Sequence, residues 1–360
     1  MSLSNGNLAL NPWPYRILNE MRRTPSSLTS NSGEIALIDR IRRRVGASVG
    51  AGISLGIGDD CALLRVKPGE EIAITTDLSI AGRHFRLDWH PPEVVGHRAL
   101  ARGLSDLAAM GARPVASFLS LGVPQDLAKS RGRKPAWIDR FFDGFLALSA
   151  RYKTPLAGGD LAESPLAIAD ILLVGAVPRG KALLRSSSRP GDVLYVTGAL
   201  GGSAAGLERL ERNSAKGSTS GKHVRSSADP LRAHLWPMPR IQQGLWLRRR
   251  GAATAAIDLS DGLSTDLDHI CRESAVGAEI EPDMLPIAPG ASLDQALNGG
   301  EDYELLFAAR PGTRVPARID GVPVTQIGRI IKAKPSQARV VLITRNGSRP
   351  LPRRGWEHFA

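Results

Sequence analysis

The clearest signal in this chain is the spacing of its apolar positions. From Glu93 to Ala112, Leu100, Leu104, Leu107 and Ala108 fall at i, i+4, i+7 and i+8, which predicts a helix with one buried stripe, closed by Pro114. Ile35, Ile38 and Ile41 recur at spacing three after Gly33 and predict a shorter helix faced with arginines. A third helix is expected from Trp137 to Ala150. Between these lie β-like runs: EIAITTD, VASFLSLGV and LAIADILLVGAV. Near residue 180 the texture changes. RPGDVLYVTG reads as a turn and strand, and GALGGSAAGLERL as a glycine-rich entry into a helix.

Helices alternating with mixed apolar strands indicate a two-domain α/β protein divided near residue 180, 34–180 and 181–360. Residues 1–33, rich in Ser, Asn and Pro with basic pairs, are expected to form a mobile extension, or to reflect an early start site. Residues 211–229 read as a flexible polar insertion.

Composition narrows the class. The net charge is +12, from 47 Lys and Arg against 35 Asp and Glu, but the arginines are spread along the chain rather than gathered in a stripe. Anionic small molecules, not nucleic acid, are therefore the expected partners. The chain has no apolar run of about 18 residues or more, so no membrane span is expected, and the absence of a signal-like h-region points to a cytosolic protein. Cys61 and Cys271, the two cysteines, cannot build a disulfide framework and read as small core or near-core residues.

The chemistry lies in aspartates set beside Gly, Ser or Thr at expected element ends: Asp59 and Asp60 in GIGDD, Asp77 in AITTDLS, Asp106 in GLSDLAAMGA, Asp160 in AGGDLAES, and Asp258 and Asp261 in AAIDLSDGLS. Mg²⁺ takes oxygen ligands, usually one or two carboxylates plus waters and phosphate oxygens, so dispersed aspartates suit several ions around a polyphosphate. Each acid has a plainer use. Asp261 could cap the helix that carries Leu263, Leu267 and Ile270, and Asp106 could pair with Arg102 one turn away. Five such segments in one chain, carrying seven aspartates, favour the metal reading. The GxxxxGK[ST] loop and the protein-kinase HRD and DFG set are absent. GALGGSAAG could present N–H groups to a phosphate, although close strand-to-helix packing explains its glycines as well.

The strings GIGDDCALL, AITTDLSIAGRHF, GLSDLAAMGARP, GGDL, GDVLYVTGALGGSAAGL, AIDLSDGLSTDLDHI and GGEDYELLF stand in the order found in bacterial thiamine-monophosphate kinases, and the likeness runs from Gly33 to GWEHF. The chain resembles that family. The resemblance implies the two-domain fold shared with aminoimidazole ribonucleotide synthetase, a mixed-sheet α/β architecture with a homodimer joined through the sheets of the N-terminal domain. It also implies ATP as co-substrate with several Mg²⁺ ions, and direct transfer of the γ-phosphoryl to thiamine monophosphate.

Position by position, the resemblance implies metal roles for Asp60, Thr75, Thr76, Asp77, Asp106, Asp160, Asp258 and Asp261, with Asp59 beside them. It implies nucleotide roles for Gly159, Asp160, Arg185 and Ser260, and thiamine-pocket roles for His84, Glu301 and Trp356. Arg185 offers a fork suited to phosphate, and Trp356 a face suited to a planar cation. His84 also fits a structural histidine, and Glu301 a turn entering YELLF. Trp356 and Phe359 could equally anchor the tail. Gly103 stands where the family commonly has asparagine. Two other readings stay open: another ATP-using enzyme of the same superfamily, and a basic nucleic-acid-binding protein without catalysis.

Overall fold

The computed structural model describes residues 34–46, 52–58, 60–130, 134–215, 229–334 and 338–356. Residues 1–33, Asp59, Phe359 and residues 216–228 of the polar insertion lie outside the described residues. Helix α1 (Glu34–Val45) is followed by a small antiparallel pair, β1 (Ile53–Leu55) and β2 (Leu63–Leu64). A four-stranded mixed sheet follows, in the order β3 (Glu70–Ile80), β6 (Ile168–Pro178), β4 (Arg113–Val123), β5 (Leu156–Glu163). In it β4 and β5 run parallel and the other pairs antiparallel.

Helices α2 (Pro92–Ala109) and α4 (Trp137–Tyr152) share one core with this sheet, and the four-residue α3 (Gln125–Ala128) lies between them in sequence. The stripe expected on α2 is that core: Leu100, Leu104, Leu107 and Ala108 are buried. The helix ends three residues earlier than Ala112, and Pro114 does not end it. The chain reverses at Gly111, whose φ of +62° suits glycine, and Pro114 sits inside β4. A proline is tolerated there because the β4–β6 register shifts between Pro114 and Ala116, where no ladder N–H is needed.

The second sheet runs β14 (Gly347–Pro350), β13 (Val340–Thr344), β9 (Val276–Ile280), β12 (Val322–Lys332), β7 (Val193–Thr197), β10 (Leu305–Ala309), β8 (Ala255–Asp258), with β11 (Arg318–Ile319) paired to β12. Its pairs are antiparallel except β13 with β9. Helices α5 (Gly202–Ala215), α6 (Pro230–Leu235), α7 (Ile241–Arg250), α8 (Leu263–Glu273) and α9 (Leu293–Asn298) complete this half. The polar run after Glu211 is helical as far as Ala215.

Helix α2 is the hinge of the arrangement, since it packs on the first sheet, on α7 and on β8. It carries a stripe of charge at i, i+4 and i+8, namely Arg98, Arg102 and Asp106, turned toward the second half of the chain and toward β3. Cys271 is buried as expected. Cys61 is exposed instead, in the short connection before β2.

Candidate functional site

A cavity of about 650 Å³ opens where α2, β3, the Gly82–His90 loop, α5, the end of β8 and the C-terminal tail meet. Of the acids singled out from the sequence, Asp77, Asp106, Asp258 and Asp261 line it, as does Ser260. All three thiamine-pocket candidates, His84, Glu301 and Trp356, line it too.

Strand alternation decides which β3 groups reach it. Thr75 and Asp77 share the face toward α2, whereas Thr76, one residue out of phase, is exposed on the other face. Thr75 Oγ1 donates to Asp106 Oδ2, and Arg102 pairs with Asp77 at 3.6 Å. Asp106 is thus held across to the sheet rather than by a bond to Arg102 one turn back, which acts on it through charge alone. The side-chain stripe of α2 points into the gap beside β3, where strand groups are nearer than the next helical turn. Ser105 Oγ donates to Asp258 Oδ2 at 2.7 Å, joining α2 to the end of β8.

Asp258 closes its strand as expected. Asp77 and Asp160 do not end theirs, because β3 continues in register with β6 to Ile80 and β5 with β4 to Glu163. Asp160 pairs in register with Ser120, in the row next to that of Leu119 and Ile171, which continues to Asp77. Its side chain therefore belongs to the opposite face of the sheet from Asp77. With Gly159 it lines a separate recess of about 100 Å³ beside Ile41, Ile57 and Phe142. Asp60 and Arg185 are exposed outside the cavity lining, although the charge of Arg185 is felt at Asp106 and Asp258.

The carboxylates at this end of the cavity are short of positive charge. Burial, and then the charge of Asp106, push Asp77 up to about 7 against the opposing pull of Arg102. Asp258 is pushed up to about 7 by burial and Asp106, against the hydrogen bond from Ser105. Asp106 is raised by burial, with Thr75, Arg185 and Arg102 opposing. Such a cluster is what a divalent cation would relieve. Among the described residues no three acidic, His or Cys groups close around a single point.

The β8–α8 connection corrects the expected cap. Asp261 does not cap α8: the position belongs to Gly262, at φ +116°, with no side-chain cap. Asp266, one turn inside the helix, reaches back and accepts from the N–H groups of Ser260, Asp261 and Gly262 at 3.0–3.1 Å. This leaves the Asp261 side chain at the cavity wall. GALGGSAAG has a similar fate, since Asp302 accepts from Gly201 N at 2.6 Å and Ser203 N at 3.0 Å. The helix start that could have met a phosphate already holds an internal carboxylate.

GGEDYE is more than a turn. Glu301 and Tyr303 both sit at positive φ, +65° and +50°, held by Glu301 N to Ser260 O and Tyr303 N to Leu259 O. Glu301 faces the cavity and is gripped by Arg98 at 2.7 Å. Burial pushes its carboxyl up, but Arg98, His234 and Arg102 outweigh burial and hold it down at about 2. His84 Nδ1 accepts from Ile80 N at 3.1 Å, so its neutral form carries the proton on Nε2. His84 thus holds a backbone N–H while its ring lines the cavity.

The tail is tied by its backbone. Arg354 N donates to Ser264 Oγ, Gly355 N to Thr265 Oγ1, and Trp356 N to Asp261 O. Gly355 is required, because a Cβ there would lie 2.1 Å from Asp261 O. Trp356 itself is 52% exposed, which speaks against its being the anchor. Gly103 is likewise fitted to its place: a Cβ would lie 2.8 Å from Leu173 Cδ1, so an asparagine would need Leu173 to move.

Residues 58–177 match the family model AIR synthase related protein, N-terminal domain, and residues 189–341 match AIR synthase related protein, C-terminal domain. The class is therefore the AIR synthase related two-domain α/β fold. The thiamine-monophosphate kinase of Escherichia coli K12 is 40% identical over 344 residues, covering 91% of this chain and 98% of that one. The crystal structure of the thiamine-monophosphate kinase from Stenotrophomonas maltophilia K279a aligns with a TM-score of 0.73 at 37% identity, covering 86% of this chain and 96% of that one. AaThiL complexed with AMPPCP and TMP aligns with a TM-score of 0.68 at 28% identity, over 93% and 99%. The chain belongs to the thiamine-monophosphate kinase family.

Proposed function

We propose that this enzyme transfers the γ-phosphoryl group of ATP directly to the phosphate of thiamine monophosphate, forming thiamine diphosphate. The observation that carries this reading is a single cavity with under-neutralised aspartates beside Asp106 at one end of the charged stripe of α2 and Glu301, held by Arg98, at the other, with an exposed indole in the same lining. The first end suits metal-bound polyphosphate, and the second a planar cation. A relative of the same fold is complexed with AMPPCP, a non-hydrolysable ATP analogue, and TMP.

Asp77, Asp106, Asp258 and Asp261 would hold Mg²⁺ in the cavity, with Thr75 beside them through its bond to Asp106, whereas Asp60, Thr76 and Asp160 stand outside this cavity and any metal they hold would lie apart from it. Bound Mg²⁺ would neutralise the charge that builds on the phosphate oxygens. Thr75, Ser105 and Arg102 keep three of these carboxylates in place, so little reorganisation is left for the reaction itself. Ser260 and Arg185 serve the nucleotide phosphates, while Gly159 and Asp160, away from the cavity, take the far part of the nucleotide. His84, Glu301 and Trp356 hold the acceptor so that its phosphate lies in line with the donor.

We place the domain division near residue 180 and read the protein as a cytosolic homodimer. The exposed apolar side chains Ile72, Ile74 and Leu78, on the outer face of edge strand β3, support a partner sheet there. Among the described residues no helix is long and apolar enough to cross a membrane.

The test is ATP consumption with thiamine monophosphate, thiamine and hydroxymethylpyrimidine phosphate offered separately. Consumption is expected with thiamine monophosphate alone. Equal turnover of free thiamine would defeat the proposal.

A further inference from the structure

Arg98 lies in the middle of α2 and is only 5% exposed, an uncommon place for a guanidinium. Its two terminal nitrogens reach different segments of the second half of the chain. Nη2 donates to Glu301 Oε1 at 2.7 Å, and Nη1 donates to the carbonyl oxygen of His234. His234 Nδ1 stands 3.8 Å from Glu301 Oε2 and 3.0 Å from Ser203 Oγ, while its Nε2 meets His90 Nε2 at 3.1 Å. Glu301 is thus held on one oxygen by the fork and bordered on the other by an imidazole that is itself fixed.

The pair is lopsided. The Arg98 side chain is 6% exposed, and that of Glu301 28%. An ion pair serving only to join α2 to the second half could be buried at both ends. This one buries its cation and turns its anion toward the cavity. A fork bonded to a carboxylate on one side and a carbonyl on the other also fixes direction, which an ammonium cannot do as well.

We propose that Arg98 is a positioning residue for acceptor specificity: it aims the Glu301 carboxylate into the cavity and so sets the pocket's preference for a cationic heteroaromatic ring. The role rests on the acceptor reading given under Proposed function. An acceptor of the same shape without ring charge would lose the attraction and leave Glu301 facing it unpaired, which is how a polar pocket discriminates.

The experiment is a double-mutant cycle on the full-length enzyme with Arg98→Met, Glu301→Gln and the two combined, reading KM for thiamine monophosphate, KM for ATP and kcat. Arg98→Met should raise the acceptor KM by about tenfold or more and leave the ATP KM within about twofold. In the Glu301→Gln background, Arg98→Met should add less than about twofold, because its effect passes through the missing carboxylate. Arg98→Lys should recover part of the loss. If Arg98→Met does not fold, Arg98→Lys with and without Glu301→Gln supplies the same cycle. Additive effects on the acceptor KM, equal changes in both KM values, or an unchanged acceptor KM in Glu301→Gln would overturn the role. A wild-type enzyme unable to use thiamine monophosphate would instead defeat the acceptor reading itself, and the Arg98 role with it.

Discussion

The two ends of the cavity use carboxylates in opposite ways. At one end Asp77, Asp106 and Asp258 crowd together with more negative charge than Arg102 and Arg185 offset, and their carboxyls are raised. At the other, Glu301 has Arg98 bonded to it, His234 and Arg102 close by, and a carboxyl held at about 2. The first end needs something brought to it. The second is complete before any ligand arrives. An acid in a cleft therefore does not announce its role by identity; the balance of charge around it does.

The largest test of that contrast is Asp77→Asn or Asp106→Asn. Each should cut kcat by about 10²-fold or more, because charge stabilisation is lost where the transition state needs it. The melting temperature should hold steady or rise, since the amide removes a repulsion among buried acids. Near-normal turnover at saturating Mg²⁺ would mean that these acids are structural.

At the finished end, Trp356→Ala should raise the acceptor KM by roughly 5- to 100-fold, by analogy with stacked bases. The ATP KM and the melting temperature should barely move, because the tail is tied by backbone bonds and the indole is 52% exposed. A lower melting temperature with an unchanged acceptor KM would restore the anchor reading.

A smaller effect should appear in stability against pH. Burial and then Arg98 hold His90 down at about 4, from an ordinary 6.5. Between those values the unfolded chain takes up a proton that the folded protein refuses, so this contribution is present above pH 6.5 and is lost as pH falls toward 4. The wild type should therefore lose on the order of 2 kcal/mol more than His90→Gln between pH 7 and pH 5. The difference between the two proteins is the measurement, because the raised aspartates act in the other direction. Denaturant melts at both pH values check it, and parallel pH profiles would contradict it. Last comes Gly355→Ala, which should push the tail off Asp261 O and raise the acceptor KM a few-fold, about 1 kcal/mol, with no change for ATP.

Much of this was readable in the residues. The stripe of α2 and the segments around Asp77, Asp106 and Asp258 stand out because periodicity and turn chemistry are local. Period-two alternation in EIAITTD also separates Thr75 and Asp77 from Thr76, a distinction available before any coordinates. What escaped was long-range. That Asp160 faces away from Asp77 depends on the register of three strand pairs. Asp266 and Asp302 look like ordinary helix and loop acids until the N–H groups they accept from are placed. Arg98, between His97 and Ala99 in a largely buried helix, carried one hint: its spacing of four from Arg102 and eight from Asp106.

That spacing has a consequence for how the protein can vary. Eight residues of helix rise about 12 Å, so α2 works as a ruler between the anchor of the acceptor carboxylate and the acid of the phosphate end. One residue added or removed between Arg98 and Asp106 would swing one mark about 100° away from the other. Loops around the cavity can lengthen over evolutionary time, but this stretch of nine residues is graduated and cannot change its count.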